Sequence, residues 1–546
     1  MKFTSVFIVG LLLIALKTLG NNILVANVTM SGQNAGASPA YTYVQFDLSW
    51  DNSWNLASGP SNWDAAWIFV KFQITGGSGC TASTLWNHAT LSSTSSDHSV
   101  GNNNGVAATI TAEPDSKGIF IYRSAAGSGS NLWQTIKLKW NYGTDGVGGS
   151  CTVTVKVYAI EMVYVPTGSF YVGDGLAGLG KFEAAATGTP FQVTSSTTPS
   201  TLGGGGAGSL GNNSNVGITT ADDFSSTGAT QVLPAAFPNG YTNFYSMKYE
   251  ISQHQYYEFL NTLTGTQQAN RTPATTAGWY HGNAGNLTTP QNRNGVKCQI
   301  APVGATPGVY GSDLNNNGTF NEVAADGMYL AMNYLSSPDL LAYLDWSGLR
   351  PMTELELEKA CRGSLIPVSG EFAWGTAAAT AVASLTNSGA NNETSATANA
   401  NINYNNGLAG PARCGIFATG TSTRVQAGAT YWGIMEMSGN VWEDEVGVGS
   451  AAGRSFTGLH GDGSLNAAGF ANTNFWPGIN GNNTLTSANT AYGGVTGCTG
   501  YAGIGFAAGT FNTNTWATVS DRSYRDGWNG LTGRDVRNGG RGIRIP

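Results

Sequence analysis

Four carboxylates lie close together in a chain that carries few charges. Glu436, Glu443, Asp444 and Glu445 all fall within the short sequence EMSGNVWEDE. Charged residues make up only 10% of the protein, against roughly 25% in a typical soluble protein. A local group of this kind predicts a metal site, an acid–base pair or a solvated acidic turn. Nothing else in the sequence supports hydrolysis by a carboxylate pair, so the metal site and the turn are the alternatives we keep.

The cysteines are the second set of residues that could do chemistry. The sequence contains Cys80, Cys151, Cys298, Cys361, Cys414 and Cys498. An even number in an exported protein favours disulfides. Cys80 and Cys151 fall in one predicted domain and are expected to pair. The other four allow three pairings, of which we favour Cys361 with Cys414 and Cys298 with Cys498.

The spacing of histidine and cysteine predicts no zinc or iron site on a single element. The sequence has no HxxxH, HExxH or CxxC motif, which are the spacings that place two such ligands on one metal ion. The histidines are scattered over the chain, at His88, His98, His254, His281 and His460.

The first 20 residues have the composition of a secretion signal. Lys2 is followed by an apolar run over residues 6–16 and by small residues near Gly20. Lys17 ends this run well before the roughly 20 apolar residues that a membrane span needs, and no later run approaches that length. The formal net charge of -7 argues against nucleic acid and anionic membranes as partners. We expect a protein that is secreted to the exterior or cell surface and has no membrane span.

Residues 21–159 show the two-residue period of β-strands. YVQFDLSW places Val44, Phe46, Leu48 and Trp50 on one face, and WIFVKFQI repeats the pattern. Turns rich in Asn, Gly and Ser separate these segments. Several short alternating strands with such turns predict an all-β sandwich over residues 21–159.

Residues 160–546 combine a few helices with long loops. Ser252 and Gln255 predict a capping box at the start of one helix, and Thr353 and Glu356 predict another. The sequence SPDLLAYLDW predicts a further helix over residues 337–346. The remainder is rich in Gly and Asn, which indicates a loop-rich α+β region.

Six short sequences in this region occur in an order that is typical of one family. They are MVYVPTGSFYVGD, YEISQHQYYEFLN, LRPMTELELEKACRG, FAWGT, GIMEMSGNVWEDE and GGRGIRI. Together they resemble the formylglycine-generating enzyme, or sulfatase-modifying factor, family over residues 161–546. The resemblance implies a loop-rich variant of the C-type-lectin-like fold for residues 160–546.

The resemblance also bears on the carboxylates of EMSGNVWEDE. In the family, the corresponding block wraps a structural calcium ion. The resemblance therefore implies side-chain ligands at Glu436 and Glu443 and carbonyl ligands at Gly439 and Val441. Calcium takes six to eight hard oxygens of both kinds, and a glycine permits the tight turn that wrapping requires. We expect structural calcium here, with the solvated turn as the alternative.

A second loop, DLNNNGTFNE, is similar to the start of an EF-hand loop. Asp313, Asn315, Asn317 and Gly318 match, but Ala324 stands where an EF-hand carries its bidentate glutamate. An ordinary Asn-Gly turn is the favoured interpretation.

The oxidases of the family bind copper through two cysteines near the C-terminal end, where soft thiolates hold Cu(I). The corresponding span here, residues 512–538, contains no cysteine, so the copper pair that catalysis would need is missing. A three-histidine iron site, found in another branch of the fold, has no sign in the histidine spacing either.

Six arginines stand near the C-terminus, at Arg522, Arg525, Arg534, Arg537, Arg541 and Arg544. They either support loops by bonding carbonyls and stacking on tryptophan, or contact an anion or glycan. The sequence predicts a secreted, non-catalytic binding or surface-structural protein. The alternatives are a formylglycine-generating-type oxidoreductase with an unrecognised site and a subunit of an extracellular filament or layer. Expected partners are an extracellular glycan or protein, or further copies of the chain.

Overall fold

The computed structural model describes residues 22–178, 180–213, 222–477, 501–525 and 533–546. The predicted signal peptide and Cys498 lie outside the described residues. The described chain is mostly β-structure, with six short α-helices among its described residues.

The N-terminal part consists of strands that pair into two sheets. The strands are β1 (Leu24–Asn34), β2 (Tyr41–Asn55), β3 (Asp64–Gly77), β4 (Asn87–His88), β5 (Ser99–Asn102), β6 (Ala108–Ala112), β7 (Ile119–Arg123), β8 (Gly127–Trp140) and β9 (Cys151–Val165). One sheet has the order β1-β2-β8-β5. The other contains β9, β3, β7 and β6 in that order, with β4 paired to β3.

The two sheets share an apolar core. Val44, Phe46, Leu48 and Trp50 of β2 are buried as predicted, and they pack in one cluster with β3 residues such as Ile68. This cluster forms because the alternating pattern of each strand turns one row of apolar side chains towards the opposite sheet.

The remaining elements follow along the chain. The strands are β10 (Phe170–Val172), β11 (Phe182–Ala184), β12 (Phe191–Val193), β13 (Thr201–Leu202), β14 (Leu210–Asn212), β15 (Gln231–Val232), β16 (Phe244–Met247), β17 (Val296–Ile300), β18 (Val309–Ser312), β19 (Met352–Thr353), β20 (Leu385–Thr386), β21 (Thr394–Ser395), β22 (Trp442–Val446), β23 (Ile504–Ala507), β24 (Asn538–Gly539) and β25 (Ile543–Arg544). The helices are α1 (Gln253–Leu260), α2 (Gly265–Arg271), α3 (Ser337–Trp346), α4 (Glu354–Arg362), α5 (Arg424–Ala427) and α6 (Ala451–Arg454).

The helix starts predicted from the sequence are confirmed. Ser252 caps α1 and Thr353 caps α4, and both capping boxes have their two reciprocal hydrogen bonds. Such caps satisfy backbone N–H groups that a helix start leaves without partners. The capping box of Thr353 also brings Glu356 to Arg350, which donates to both of its carboxylate oxygens at 2.7 and 2.9 Å.

The larger sheet joins the N-terminal part to the rest of the chain. Its full order is β25-β16-β9-β3-β7-β6, so strands from residues 244–247 and 543–544 extend a sheet begun by residues 64–77. Strand β9 pairs with β3 from Val163 opposite Asp64 to Cys151 opposite Gly77. The predicted boundary at residue 159/160 therefore falls inside one continuous strand.

Both faces of β3 are buried. Its second face carries Phe69, whose ring lies 5.1 Å from that of Trp346 on α3, and Trp67, whose ring lies 4.2 Å from the Arg544 guanidinium. Lys71 on this face donates to the carbonyl of Trp346 at 2.6 Å. The helices thus pack on the side of the sheet that faces away from the first core.

Smaller sheets hold the loops of the C-terminal part. The one that matters for the candidate site has the order β19-β22-β23, with β24 paired to β22. In the described ranges, no helix is both long enough and apolar enough to cross a membrane.

Candidate functional site

Glu443 accepts two hydrogen bonds from the guanidinium of Arg541. Nε donates to Oε2 and Nη2 donates to Oε1, each at 2.6 Å. Parallel pairing of β22 with β24 places Glu443 opposite Gly539, so Arg541 follows close by. Both side chains are buried, and bidentate charge-assisted pairs of this kind are among the stronger hydrogen bonds. Burial raises the pKa of Glu443, while the Arg541 charge opposes that shift.

Two further carboxylates lie in the same buried cluster. Glu436 Oε1 accepts from the N–H of Gly415 at 2.8 Å, whereas its Oε2 is buried without a hydrogen-bond partner among the described residues. Burial raises the pKa of Glu436 to about 7. Glu250, just before α1, accepts from the N–H of Val441 at 3.2 Å. Burial and then the Glu443 charge raise the pKa of Glu250. Glu250 carries no local signal in the sequence and was not predicted.

Gly439 and Val441 complete the predicted calcium set. Gly439 has φ 86°, and a Cβ there would lie 2.6 Å from Ile402 Cγ1 and 2.7 Å from the Asn403 carbonyl oxygen, so the tight turn requires glycine. Val441 is buried beside Glu250. Glu436, Val441 and Glu443 therefore lie around Glu250, whereas Gly439 packs against Ile402 and Asn403.

Of the carboxylate oxygens of Glu436 and Glu443, one has no hydrogen-bond partner among the described residues. Glu436 Oε2 suits a cation, but both oxygens of Glu443 are occupied by Arg541. Over the ranges that the structure describes, no group of three or more His, Cys, Asp and Glu side chains is arranged to hold a metal ion. Calcium binding at Glu436, Gly439, Val441 and Glu443 stays a prediction, in which Glu443 would share its carboxylate between the ion and Arg541.

The alternative of a solvated acidic turn is wrong. Asp444 and Glu445 are 5% and 1% exposed, and both lie within β22. Burial raises the pKa of each to about 8. Glu445 forms a buried ion pair with Arg525. The acidic stretch is therefore a buried part of the scaffold.

A cleft of about 410 Å³ opens between the N-terminal part and the C-terminal part. Trp54, at the end of β2, and Leu56 and Asn62, from the connection of β2 with β3, line one side. Tyr431 and Trp432 line another. The two sides are joined where the Asn62 amide donates to the carbonyl of Trp432 at 2.7 Å. The sequence does not predict this cleft, because these two walls lie more than 300 residues apart.

The aromatic rings of the cleft are fixed by their surroundings. The Trp54 N–H donates to Asp64 at 3.0 Å and its indole N–H to Asn62 at 3.4 Å. A Cβ on Gly433 would lie 3.0 Å from this indole, so the ring packs directly on the glycine. The rings of Tyr431 and Trp432 meet edge to face, with centroids 4.8 Å apart. Trp54 and Tyr431 remain half-buried.

Lys248, at the base of the cleft, is a paired cation. Its Nζ lies 3.0 Å from Glu161 and 3.3 Å from Asp64, and 4.8 Å from the centroid of the Trp54 ring. Burial disfavours the charged form, but the charges of Glu161 and Asp64 outweigh it and raise the pKa of Lys248. The cation is therefore retained and neutralised within the protein.

Part of the sequence is similar to a known protein family. Residues 218–445 match the family model described as the sulfatase-modifying factor enzyme 1-like domain. The chain contains a sulfatase-modifying factor enzyme 1-like domain. The match runs from just before β15 into β22, and so includes α1 to α5 and the predicted calcium residues. The matched range is shorter than residues 161–546, over which the resemblance was expected. No curated protein matches the sequence.

The cysteines fall into two groups with respect to the sulfatase-modifying factor-like domain. Cys80 and Cys151, outside it, form the predicted disulfide. The predicted bond between Cys361 and Cys414, inside it, is wrong, because both are buried free thiols. They lie in separate clusters, Cys361 on α4 and Cys414 beside Tyr249 and Val441. The predicted pair of Cys298 with Cys498 involves a residue outside the described ranges.

The arginines that follow the sulfatase-modifying factor-like domain are structural. Every one of the six forms an ion pair: Arg522 with Asp222 and Glu354, Arg525 with Glu445, Arg534 with Asp339, Arg537 with Asp535, Arg541 with Glu443 and Arg544 with Glu113 and Asp115. Four of these arginines, Arg522, Arg525, Arg534 and Arg541, therefore link the C-terminal residues to carboxylates of the matched domain through five ion pairs. This arrangement supports the first of the two interpretations, in which the arginines hold loops together.

The EF-hand-like loop of the same domain is an internally bonded turn. Asp313 accepts from the N–H of Asn317 at 3.0 Å and from Lys297 at 2.7 Å. The amide of Asn317 donates to Glu322 at 2.6 Å. These bonds agree with the favoured Asn-Gly turn.

Proposed function

We propose that the protein is a secreted, non-catalytic binding protein built on a sulfatase-modifying-factor-like scaffold. The observation that carries this proposal is the cleft between the two parts of the chain. Concave sites lined by aromatic side chains with a few polar groups are the usual form of ligand sites, and they occur preferentially where domains meet. A surface-structural role of the same scaffold is the related possibility that the test below addresses.

The thiol chemistry supports a role other than oxidation. The described free cysteines, Cys298, Cys361 and Cys414, are all buried, and burial raises the pKa of each. A buried thiol with a raised pKa is a poor metal ligand, because metals bind the thiolate. None of the described residues that line the cleft is a cysteine. Residues 512–538 contain none either.

The proposal extends to the fold and to calcium. The N-terminal part is taken as a β-sandwich, supported by the core that its two sheets share. The sulfatase-modifying factor-like domain is taken as C-type-lectin-like, as its family implies. Calcium at Glu436, Gly439, Val441 and Glu443 would stabilise this domain and take no part in chemistry.

Copper binding and oxygen uptake test the function. The purified protein is loaded with Cu(I) under reducing conditions and given a cysteine-containing sulfatase peptide. We expect no peptide-dependent oxygen uptake and no loss of the peptide thiol, while a retained ligand is found in a screen of the full chain on glycan and protein arrays. Turnover of the peptide would instead establish the oxidoreductase. Ordered polymers in electron micrographs, with no retained ligand, would establish the structural role.

A further inference from the structure

We propose that the cleft binds a neutral carbohydrate, with sugar rings stacked on Trp54 and Tyr431. This inference rests on the proposed binding function and assigns it a place and a ligand class. The cleft volume, about 410 Å³, lies within the range of roughly 300–1,000 Å³ that is usual for small-molecule sites. A short oligosaccharide is of suitable size.

The aromatic rings supply flat apolar surfaces in fixed positions. Trp54 is held by Asp64, Asn62 and Gly433, and Tyr431 packs on Gly363, where a Cβ would lie 2.2 Å from the tyrosine ring. Both rings keep an accessible part. One face of a pyranose ring presents only C–H groups, which pack on such a surface. Rings that are already fixed lose little conformational freedom on binding.

The charged side chains of the cleft are engaged within the protein, which favours a neutral ligand. Lys248 is neutralised by Glu161 and Asp64. Arg424 donates to the carbonyls of Ala373 and Cys361 at 2.9 and 3.2 Å. No Asp or Glu occurs among the described lining residues. A cationic ligand would thus find no carboxylate there, and besides the neutralised Lys248 an anionic ligand would meet only Arg424, whose guanidinium is held by backbone carbonyls.

The rim of the cleft offers hydroxyl and amide groups. Asn52, Thr419, Ser422 and Thr423 all line it. Side chains of these types both donate and accept hydrogen bonds, as sugar hydroxyls do. Aromatic surface and uncharged polar groups in one cleft match the apolar and hydroxyl-bearing parts of a neutral sugar.

The same rim argues against an extended peptide. Peptides that bind as an added strand need a row of free main-chain groups. In this loop the N–H of Thr419 donates to Ser422 Oγ at 2.9 Å, and the N–H of Thr423 donates to Gln426 at 2.9 Å. Its backbone is folded onto itself and forms no strand.

Oligosaccharide binding by the full chain and matched variants tests the inference. Neutral tetrasaccharides of glucose, mannose and N-acetylglucosamine are the probes, with tetragalacturonate as the charged comparison and a capped apolar tetrapeptide as the peptide comparison. Titration calorimetry gives affinities. We expect at least one neutral probe to bind, and Trp54→Ala to weaken it at least tenfold. Trp54→Phe should retain most of the affinity, because it keeps a flat ring.

Trp86→Ala is the matched control, since Trp86 is a half-buried tryptophan of the N-terminal part outside the cleft. It should bind like the parent. If Trp54→Ala does not fold, as judged by thermal unfolding, Tyr431→Ala and the exposed Asn52→Ala serve in its place.

The outcomes separate this inference from the proposed function. Failure of every neutral probe, or binding that neither Trp54→Ala nor Tyr431→Ala weakens, overturns the carbohydrate cleft. Preferential binding of tetragalacturonate or of the peptide overturns the ligand class. In each of these cases, a ligand that binds elsewhere on the protein would still support the proposed binding function. Copper-dependent turnover of the sulfatase peptide, or ordered polymers with no retained ligand, would overturn that function itself.

Discussion

The guanidinium of Arg541 donates to both carboxylate oxygens of Glu443, at 2.6 Å each, and both side chains are buried. Arg541 also donates to the carbonyl of Met435 at 2.8 Å. One side chain thus ties the C-terminal residues to both ends of the acidic stretch 436–445. The pair is a structural centre of the domain.

Removing Arg541 should strongly destabilise the protein. Arg541→Met leaves Glu443 buried beside Glu250 and Glu436 without its cation, and breaking one side of a buried pair typically costs about 3–5 kcal/mol. Urea unfolding followed by tryptophan fluorescence measures the change. Lys156→Met, which breaks the more exposed pair with Glu258, should cost less than about 1 kcal/mol. Equal losses in the two variants would contradict the structural role of Arg541.

Calcium should stabilise the protein, and Glu436→Gln should remove that response. Glu436 has the free buried oxygen, whereas Glu443→Gln weakens the pair with Arg541 whether or not calcium binds. A ligand that binds only the folded protein stabilises it by about 2.7 kcal/mol at a hundredfold excess over Kd. Thermal unfolding with calcium and with chelator measures this. Glu258→Gln should respond like the parent. An unfolding curve of the parent protein that chelator leaves unchanged would exclude calcium.

Stability should contain a contribution from neutral His281 that is lost in acid. His281 is buried, and its two ring nitrogens lie 3.0 Å from Thr272 Oγ1 and the Tyr334 carbonyl. Burial, followed by the charge of Arg534, lowers the pKa of His281 from 6.5 to about 4. The unfolded chain therefore binds a proton first as pH falls, so this contribution is complete above pH 6.5 and declines from there towards pH 4.

The difference between the parent and His281→Gln isolates this effect from the other titrating groups. The free energy of unfolding of the parent should fall more steeply between pH 6.5 and pH 4, by up to about 3 kcal/mol in total. Urea unfolding at a series of pH values gives both curves. Parallel curves would show that His281 is not held neutral.

A chain that begins at residue 160 should not reach the native stability. It lacks β3, which pairs with β9 along most of its length, and it exposes Tyr245 and Trp346, which pack on Phe120 and Phe69. We expect poor amide dispersion in NMR spectra and no cooperative thermal transition. The full chain is the reference. A dispersed spectrum with a sharp transition would show that residues 160–546 fold independently, as the domain boundary predicted from the sequence requires.

Local features were predictable from the sequence because neighbouring residues produce them. Ser252 with Gln255, and Thr353 with Glu356, satisfy the first N–H groups of their own helices, and the alternation of β2 points Val44 and Phe46 to one side. The disulfide of Cys80 with Cys151 followed from membership in one region. Each of these inferences needed only a short segment or a single sheet.

The remaining features depend on residues far apart in the chain. Nothing near WIFVKFQI shows that Trp346 will cover its second face, so only one buried face was predicted. The cleft needs Trp54 and Trp432 together, and the acidic stretch became a buried cluster because Arg541 reaches Glu443. The predicted Cys361–Cys414 bond was wrong because an even number of cysteines does not show in which hydrophobic cluster each cysteine packs.

The larger sheet has a consequence for how the chain is made. Its outermost strand, β25, pairs with β16, and Arg544 of that strand donates to Asp115 at 2.5 Å across 429 residues of sequence. At synthesis rates of about 5–20 residues per second, roughly 20–90 s pass between the synthesis of Asp115 and that of Arg544. Until β16 and α3 are made, β3 and β9 present an open edge and an apolar face, which are the surfaces that molecular chaperones recognise and that neighbouring nascent chains can pair with. Assembly of the native sheet is therefore a late event, and the yield of folded protein depends on what shields those strands until translation is finished.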